Sequence, residues 1–175
     1  EETAGLLEVF DAIVGESKAL IPVPSNPGGL TIDPSGQNVY VAHGIGAPTL
    51  SIIDGVQHIL KDSISVSDIL PSRLAMAPDG SRLYLNNALA GQVNAINPAT
   101  KSIVASFTAG ESADLSGRII DLGLTADGSR LVVTFNRIFQ GTINGITTLE
   151  FSGSVLVIDT ATMTQLAEIA IGQLA

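Results

Sequence analysis

Apolar residues in this chain come in runs of four to six, separated by clusters of glycine, proline, aspartate and asparagine. The stretch from Arg73 to Gly110 shows the pattern most plainly: Leu74 to Ala77, Arg82 to Asn86, Gln92 to Ile96 and Ser102 to Phe107. Each run is strand length, too short for a helix of ordinary size, and rich in residues that suit a pleated surface. The first turn is Pro78-Asp79-Gly80, in which proline presets φ and glycine takes the left-handed conformation. The third turn opens on Asn97, whose side chain can cap its own backbone. Four antiparallel strands are therefore expected, the chain reversing three times.

The same phrase recurs. Leu30-Thr31-Ile32-Asp33-Pro34-Ser35-Gly36 and Leu122-Gly123-Leu124-Thr125-Ala126-Asp127-Gly128 align with Leu74 to Gly80, their closing glycines 44 and 48 residues apart. That spacing suits a four-stranded propeller blade and exceeds the period of short helical repeats. Second strands follow at Asn38 to His43, Arg82 to Asn87 and Arg130 to Phe135, with alternation placing Tyr40 and Tyr84 on equivalent faces. Third strands close on Asp54, Asn97 and Asp159, and fourth strands are expected at Ser63 to Val66, Ile103 to Phe107 and Leu166 to Ile169. Glu8 to Asp11 followed by Ala19 to Val23 repeats only the second half of the unit. The expected architecture is all-β, a β-propeller of four-stranded antiparallel blades. About three and a half blades are present: a half-blade from Gly5 to Pro24, then blades from Pro27 to Asp68, Pro71 to Gly110 and Arg118 to Gly172.

The sequence Pro78-Asp79-Gly80-Ser81-Arg82-Leu83-Tyr84-Leu85-Asn86-Asn87, then Val93 to Thr100, resembles the YVTN-repeat propellers, and Val155 to Thr162 with Ile169 to Gly172 carries the same signature. The name-giving tetrad is imperfect: Tyr40-Val41-Ala42-His43, Tyr84-Leu85-Asn86-Asn87 and Val132-Val133-Thr134-Phe135. The resemblance implies an exported protein, extracellular, at the cell surface or periplasmic, since that family includes surface-layer proteins. Its relatives include lactonases and propeller subunits of periplasmic dehydrogenases, which makes a fragment of such an enzyme or enzyme subunit the alternative reading. Fold likeness does not carry an activity with it.

Composition narrows the chemistry. Eight Lys and Arg against 17 Asp and Glu leave a net charge of −9, which disfavours a phosphate backbone as partner. The absence of cysteine removes disulfides, thiolate metal sites and thiol catalysis. Hydrophobic residues make up 45% of the chain, yet no run reaches the roughly 20 residues of a membrane helix, so membrane insertion is not expected. A chain opening on Glu1 without methionine reads as processed or excised.

Rings of this type close with four to eight blades, so the half-blade needs completion. An exposed blade face of ~400 Å² is worth on the order of 10 kcal/mol, comparable to a domain's whole stability. A continuation past Ala175, or another subunit, is expected to supply the missing first and second strands, because Ile171-Gly172-Gln173 ends where a first strand would begin. Two associating copies would instead bring outer strands twice and inner strands never. Stacking of open faces between chains is a third arrangement.

Ligands of propellers collect where second-to-third-strand loops and blade-to-blade connections share a face. Candidate binding residues there are His43, Asn87, Glu111, Asp114, Asn136, Arg137 and Glu150, for a protein or glycan ligand. Asn136 to Gly153 is expected as a lengthened connection carrying an extra hairpin that turns at Asn144-Gly145. Glu111 and Asp114, with Asp121 or Glu150, form a conceivable Ca²⁺ set, competing with simple ion pairs to Arg118 or Arg137; no calcium-loop spacing supports it. His43 is expected at the loop surface and His58 at the opposite end, too far apart to act together. Asp11, Asp54, Asn97 and Asp159 read as turn caps, and Ser35, Ser81 and Ser129 lack a nucleophile elbow. No catalytic residue and no resident cofactor or metal is expected.

Overall fold

The computed structural model of the chain describes residues 5–44, 48–66, 69–87, 90–109, 118–143 and 146–174. Among them every regular element is a strand. The half-blade pairs β1 (Gly5–Phe10) with β2 (Ser17–Val23). The first blade holds β3 (Pro27–Ile32), β4 (Asn38–His43), β5 (Thr49–Asp54) and β6 (Ile59–Ser65). The second holds β7 (Leu74–Met76), β8 (Leu83–Asn87), β9 (Gln92–Asn97) and β10 (Ser102–Thr108). The third holds β11 (Arg118–Leu124), β12 (Arg130–Ile143), β13 (Ile146–Asp159) and β14 (Thr164–Leu174). In each sheet spatial order follows chain order and all pairs are antiparallel, so the fold is a partial propeller with sheets of two, four, four and four strands.

Turn chemistry explains where strands end. In the first-to-second-strand turns, Gly36, Gly80 and Gly128 sit at φ of 71, 73 and 70°, and each amide donates to the carbonyl three residues back, of Asp33, Ala77 and Thr125. The third-to-fourth-strand turns are capped from the side. Asp11, Asp54, Asn97 and Asp159 each accept from the amides two and three residues on. The fifth residue of each of these turns then takes positive φ: Gly15, His58, Lys101 and Met163, at 72, 57, 56 and 53°. A non-glycine residue there is strained by about 1 kcal/mol, which the side-chain cap offsets.

Packing runs between sheets. Tyr40, Ala42, Leu50 and Ile52 of the first blade meet Leu74, Leu83, Leu85 and Ile96 of the second. Tyr84, Val93 and Ala95 of the second meet Leu131, Val133, Phe135, Leu156 and Ile158 of the third. Tyr40 and Tyr84 thus each face the blade that follows. The half-blade contributes a smaller core, Ile21 and Val23 against Val41 and Ile53.

The segment 136–153, expected as a lengthened connection carrying a hairpin that turns at Asn144-Gly145, is strand on either side of those two residues, an extension of β12 and β13. β12 and β13 pair without a register break from Arg130 with Asp159 to Ile143 with Ile146. Residues 144 and 145, the expected turn, lie outside the described residues. The strands are lengthened rather than interrupted because each added pair keeps its backbone groups in the ladder, whereas a loop would leave them to water. β14 is likewise longer than the expected Leu166 to Ile169, pairing with β13 as far as Leu174 with Phe151.

Candidate functional site

The first and last residues of the strands sort the candidates. His43 and Asn87 occupy equivalent ends of the second strands, and Asn136 lies one residue past the corresponding position of β12, all on the side of the second-to-third-strand connections. His43 is not at the surface, as its sequence position suggested: it is 1% exposed, opposite Pro27 on β3 and Thr49 on β5. The chain between β2 and β3 folds over it, and its Nδ1 lies 3.3 Å from the Ser25 carbonyl. Its Nε2, together with Thr49 Oγ1 and Ser51 Oγ, is buried without a protein partner. Burial pushes the imidazole below its ordinary 6.5, partly countered by the Ser25 and Pro24 carbonyls.

Above pH 6.5 His43 is neutral folded or unfolded; below it the unfolded chain takes up the proton first, so stability falls as pH drops. Acidification from pH 7.5 to 5 is expected to lower the unfolding midpoint of the native chain more than that of His43→Asn, the residue used at the equivalent Asn87. Equal slopes in thermal melts would show that His43 does not carry the effect.

Asn87 is 6% exposed, and its Oδ1 accepts from the Leu70 amide at 3.3 Å, tying the connection after the first blade to β8. Asn136 pairs through its backbone with Arg118 and Gly153. Arg137 forms an ion pair with Glu168 at 3.3 Å and lies 5.3 Å over the Phe135 ring. Asp121 pairs with Arg73 at 3.8 Å, an inner-strand bridge between blades and not the pairing with Arg118 or Arg137 weighed for the loop acids. Glu150 is placed through its backbone opposite Phe139, while Glu111 and Asp114 lie outside the described residues. Among the described residues no group of three or more His, Asp or Glu is placed to hold a metal. His58 sits in the turn after Asp54, at the other end of the first blade from His43.

The described recesses open elsewhere. One, of about 500 Å³, lies between the first-to-second-strand turns of the second and third blades, walled by Pro78, Asp79, Arg82, Tyr84, Asp127 and Thr160. Its two carboxylates are engaged by their own turns. Asp79 accepts from the Ser81 amide and hydroxyl, at 2.9 and 2.7 Å. Asp127 is pulled down to about 2 by the Thr125 hydroxyl and by the Ser129 amide and hydroxyl. The serines of these turns are thereby acid-bonded turn residues. Arg82 Nη1 donates to the Thr160 carbonyl at 2.6 Å, bridging the blades. Arg82→Ala is expected to cost about 1 kcal/mol in denaturant unfolding, and no loss would show that the bridge is replaced by water.

The second recess, of about 370 Å³ and mostly apolar, lies between the half-blade and the first blade, along Leu7, Val9, Leu30 and Ile32. The sequence leads one to expect an open apolar face at this end but does not single out the residues that line it. The signal was present in the missing first and second strands of the half-blade, but their consequence is a surface that appears only when equivalent positions are compared. Leu30 is 49% exposed, whereas Leu74 and Leu122, at the same place in the next two blades, are each 9% exposed.

No family model and no curated protein matches the chain. Solved structures do. The chain is similar to Kuenenia stuttgartiensis hydrazine synthase, with 21% identity and a TM-score of 0.73 over 95% of this chain and 43% of that one. It is also similar to the dihydro-heme d1 dehydrogenase NirN in complex with DHE, with 17% identity and a TM-score of 0.60 over 95% of this chain and 42% of that one. Both are β-propeller proteins, and the likeness is one of fold. The chain spans less than half the length of either.

Proposed function

We propose that this chain is a propeller segment acting as a non-enzymatic scaffold or binding module, one part of a ring whose remaining blades come from further chain or another subunit. The observation that carries this reading is the exposure of Leu30 where its counterparts Leu74 and Leu122 are covered by the preceding blade. The third blade supports it from the other end, since Val132 and Ile169 lie on its open face at 36% and 55% exposure. The coverage of 43% and 42% of the similar chains is in keeping with a partial ring. Export to the periplasm or cell surface, and a protein or glycan ligand on the loop face, belong to the same proposal and rest on the resemblance to surface propellers. No helix among the described residues is long and apolar enough to cross a membrane.

The test is the behaviour of the open faces. The 175-residue chain alone is expected to bind an apolar dye and to gain mass with concentration in sedimentation. A polypeptide supplying the remaining blades is expected to abolish both. A dye-silent monomer at every concentration overturns the reading.

A second reading, the propeller portion of a redox enzyme, is favoured by the titles of the two similar structures, one naming a synthase and the other a dehydrogenase with bound DHE. Titration of the assembled protein with haem separates the two: a saturable shift in the haem absorption band supports the enzyme reading, and an unchanged band supports the scaffold.

A further inference from the structure

Successive blades in this chain are joined at one end by a stack of turns. A Cβ added to Gly80 would lie 3.5 Å from Pro34 Cδ, and one added to Gly128 would lie 2.9 Å from Pro78 Cδ. The proline ring of each turn therefore rests on the glycine of the turn that follows. Gly36 has the same left-handed φ of 71° and nothing within 4 Å. It lines the apolar recess with Leu30 and Ile32, which are 49% and 52% exposed. The third wall is β1, which among the described residues pairs with β2 alone, so its other edge presents unpaired backbone groups to the recess. An unpaired edge beside an apolar groove is the geometry of strand addition.

We propose that this recess seats a β-hairpin from another polypeptide segment, its two strands joined by a tight turn with proline two residues before glycine. One strand pairs with the free edge of β1. The other lies over Leu30 and Ile32, and the proline ring rests on Gly36. The assignment deepens the reading of the chain as part of a ring: it specifies the chemistry of the occupant from the interface that the second and third blades already display. Apolar residues alternate along the incoming strands because one face of the pair is buried against the first blade. A proline is required because Gly36 leaves the space that Pro34 and Pro78 fill over Gly80 and Gly128.

The probe is a synthetic peptide with the sequence of residues 74–87, LAMAPDGSRLYLNN, carrying a fluorophore. Saturable binding to the 175-residue chain is expected, with slowed amide hydrogen exchange across residues 5–10. The Pro78→Ala peptide is expected to bind about tenfold more weakly. In the protein, Leu30→Lys with Ile32→Lys changes two exposed positions and is expected to abolish binding, while Ile13→Lys, at a turn tip 93% exposed, leaves it unchanged. Protection that falls on the third blade in place of residues 5–10 overturns the proposal. So does a cooperative, folded chain that binds no peptide. A chain that dimerises and protects residues 5–10 without peptide makes a second copy the occupant and overturns it as well. The broader reading fails separately, by the dye-silent monomer described above, whatever the peptide does.

Discussion

Asn86→Ala is expected to destabilise the protein by about 3 kcal/mol, the largest loss of any single side chain considered. Asn86 is fully buried on β8 at the junction of the second and third blades. Its Oδ1 accepts from the amides of Ser72 and Arg73, at 3.0 and 2.8 Å, and so holds the strand leading into β7. Its Nδ2 donates to the Ile119 carbonyl of β11 at 3.0 Å and so reaches the third blade. Alanine leaves the Ser72 and Arg73 amides, the Ser72 hydroxyl and the Ile119 carbonyl without this partner and opens a small void. For a chain of this length the loss corresponds to a melting point lower by roughly 6–12 °C. Urea unfolding should show a lower midpoint at unchanged slope, and a change below about 1 kcal/mol would mean that water takes over the bonds. Asn87→Ala is the internal comparison: its Oδ1 accepts from the Leu70 amide at 3.3 Å, and the substitution is expected to cost about 1 kcal/mol.

Gly29→Ala is expected to cost about 2 kcal/mol, although alanine is ordinarily the milder residue in a strand. The inner strands of the first and second blades touch here. Gly29 donates its amide to the Ser72 carbonyl at 2.9 Å, and an added Cβ would lie 2.7 Å from that oxygen and 3.0 Å from Arg73 Cα. Both neighbours are backbone, so the clash can be relieved only by separating the blades. Gly123→Ala is the control, since a Cβ there meets nothing within 4 Å; it is expected to be neutral within about 0.5 kcal/mol. If both substitutions behave alike in thermal unfolding, close approach of the inner strands is not what glycine serves at position 29.

Much of the fold was legible because its signals are local. Pro78-Asp79-Gly80 announces a turn through fixed φ and a left-handed glycine, and Asp54 or Asp159 announces one through a carboxylate that can reach its own amides. The positive φ of His58, Lys101 and Met163 was not legible, since only Gly15 at that position advertises it. The candidate site was less readable still. Arg137 was weighed as a partner for the loop acids and is held by Glu168 from β14; Asn136 looked like the start of a loop and is a ladder residue. His43 looked like a strand end in water, because nothing in its own neighbourhood tells that Ser25, eighteen positions away, closes over it.

By itself the sequence determined the strands, their turns and their grouping into sheets, since hydrogen-bond caps and two-residue alternation act over a few positions. Only the tertiary structure decided which faces are covered. Burial belongs to pairs of sheets and not to residues: leucine occupies equivalent places at 30, 74 and 122, and the presence or absence of a preceding blade makes one of them surface and the others core.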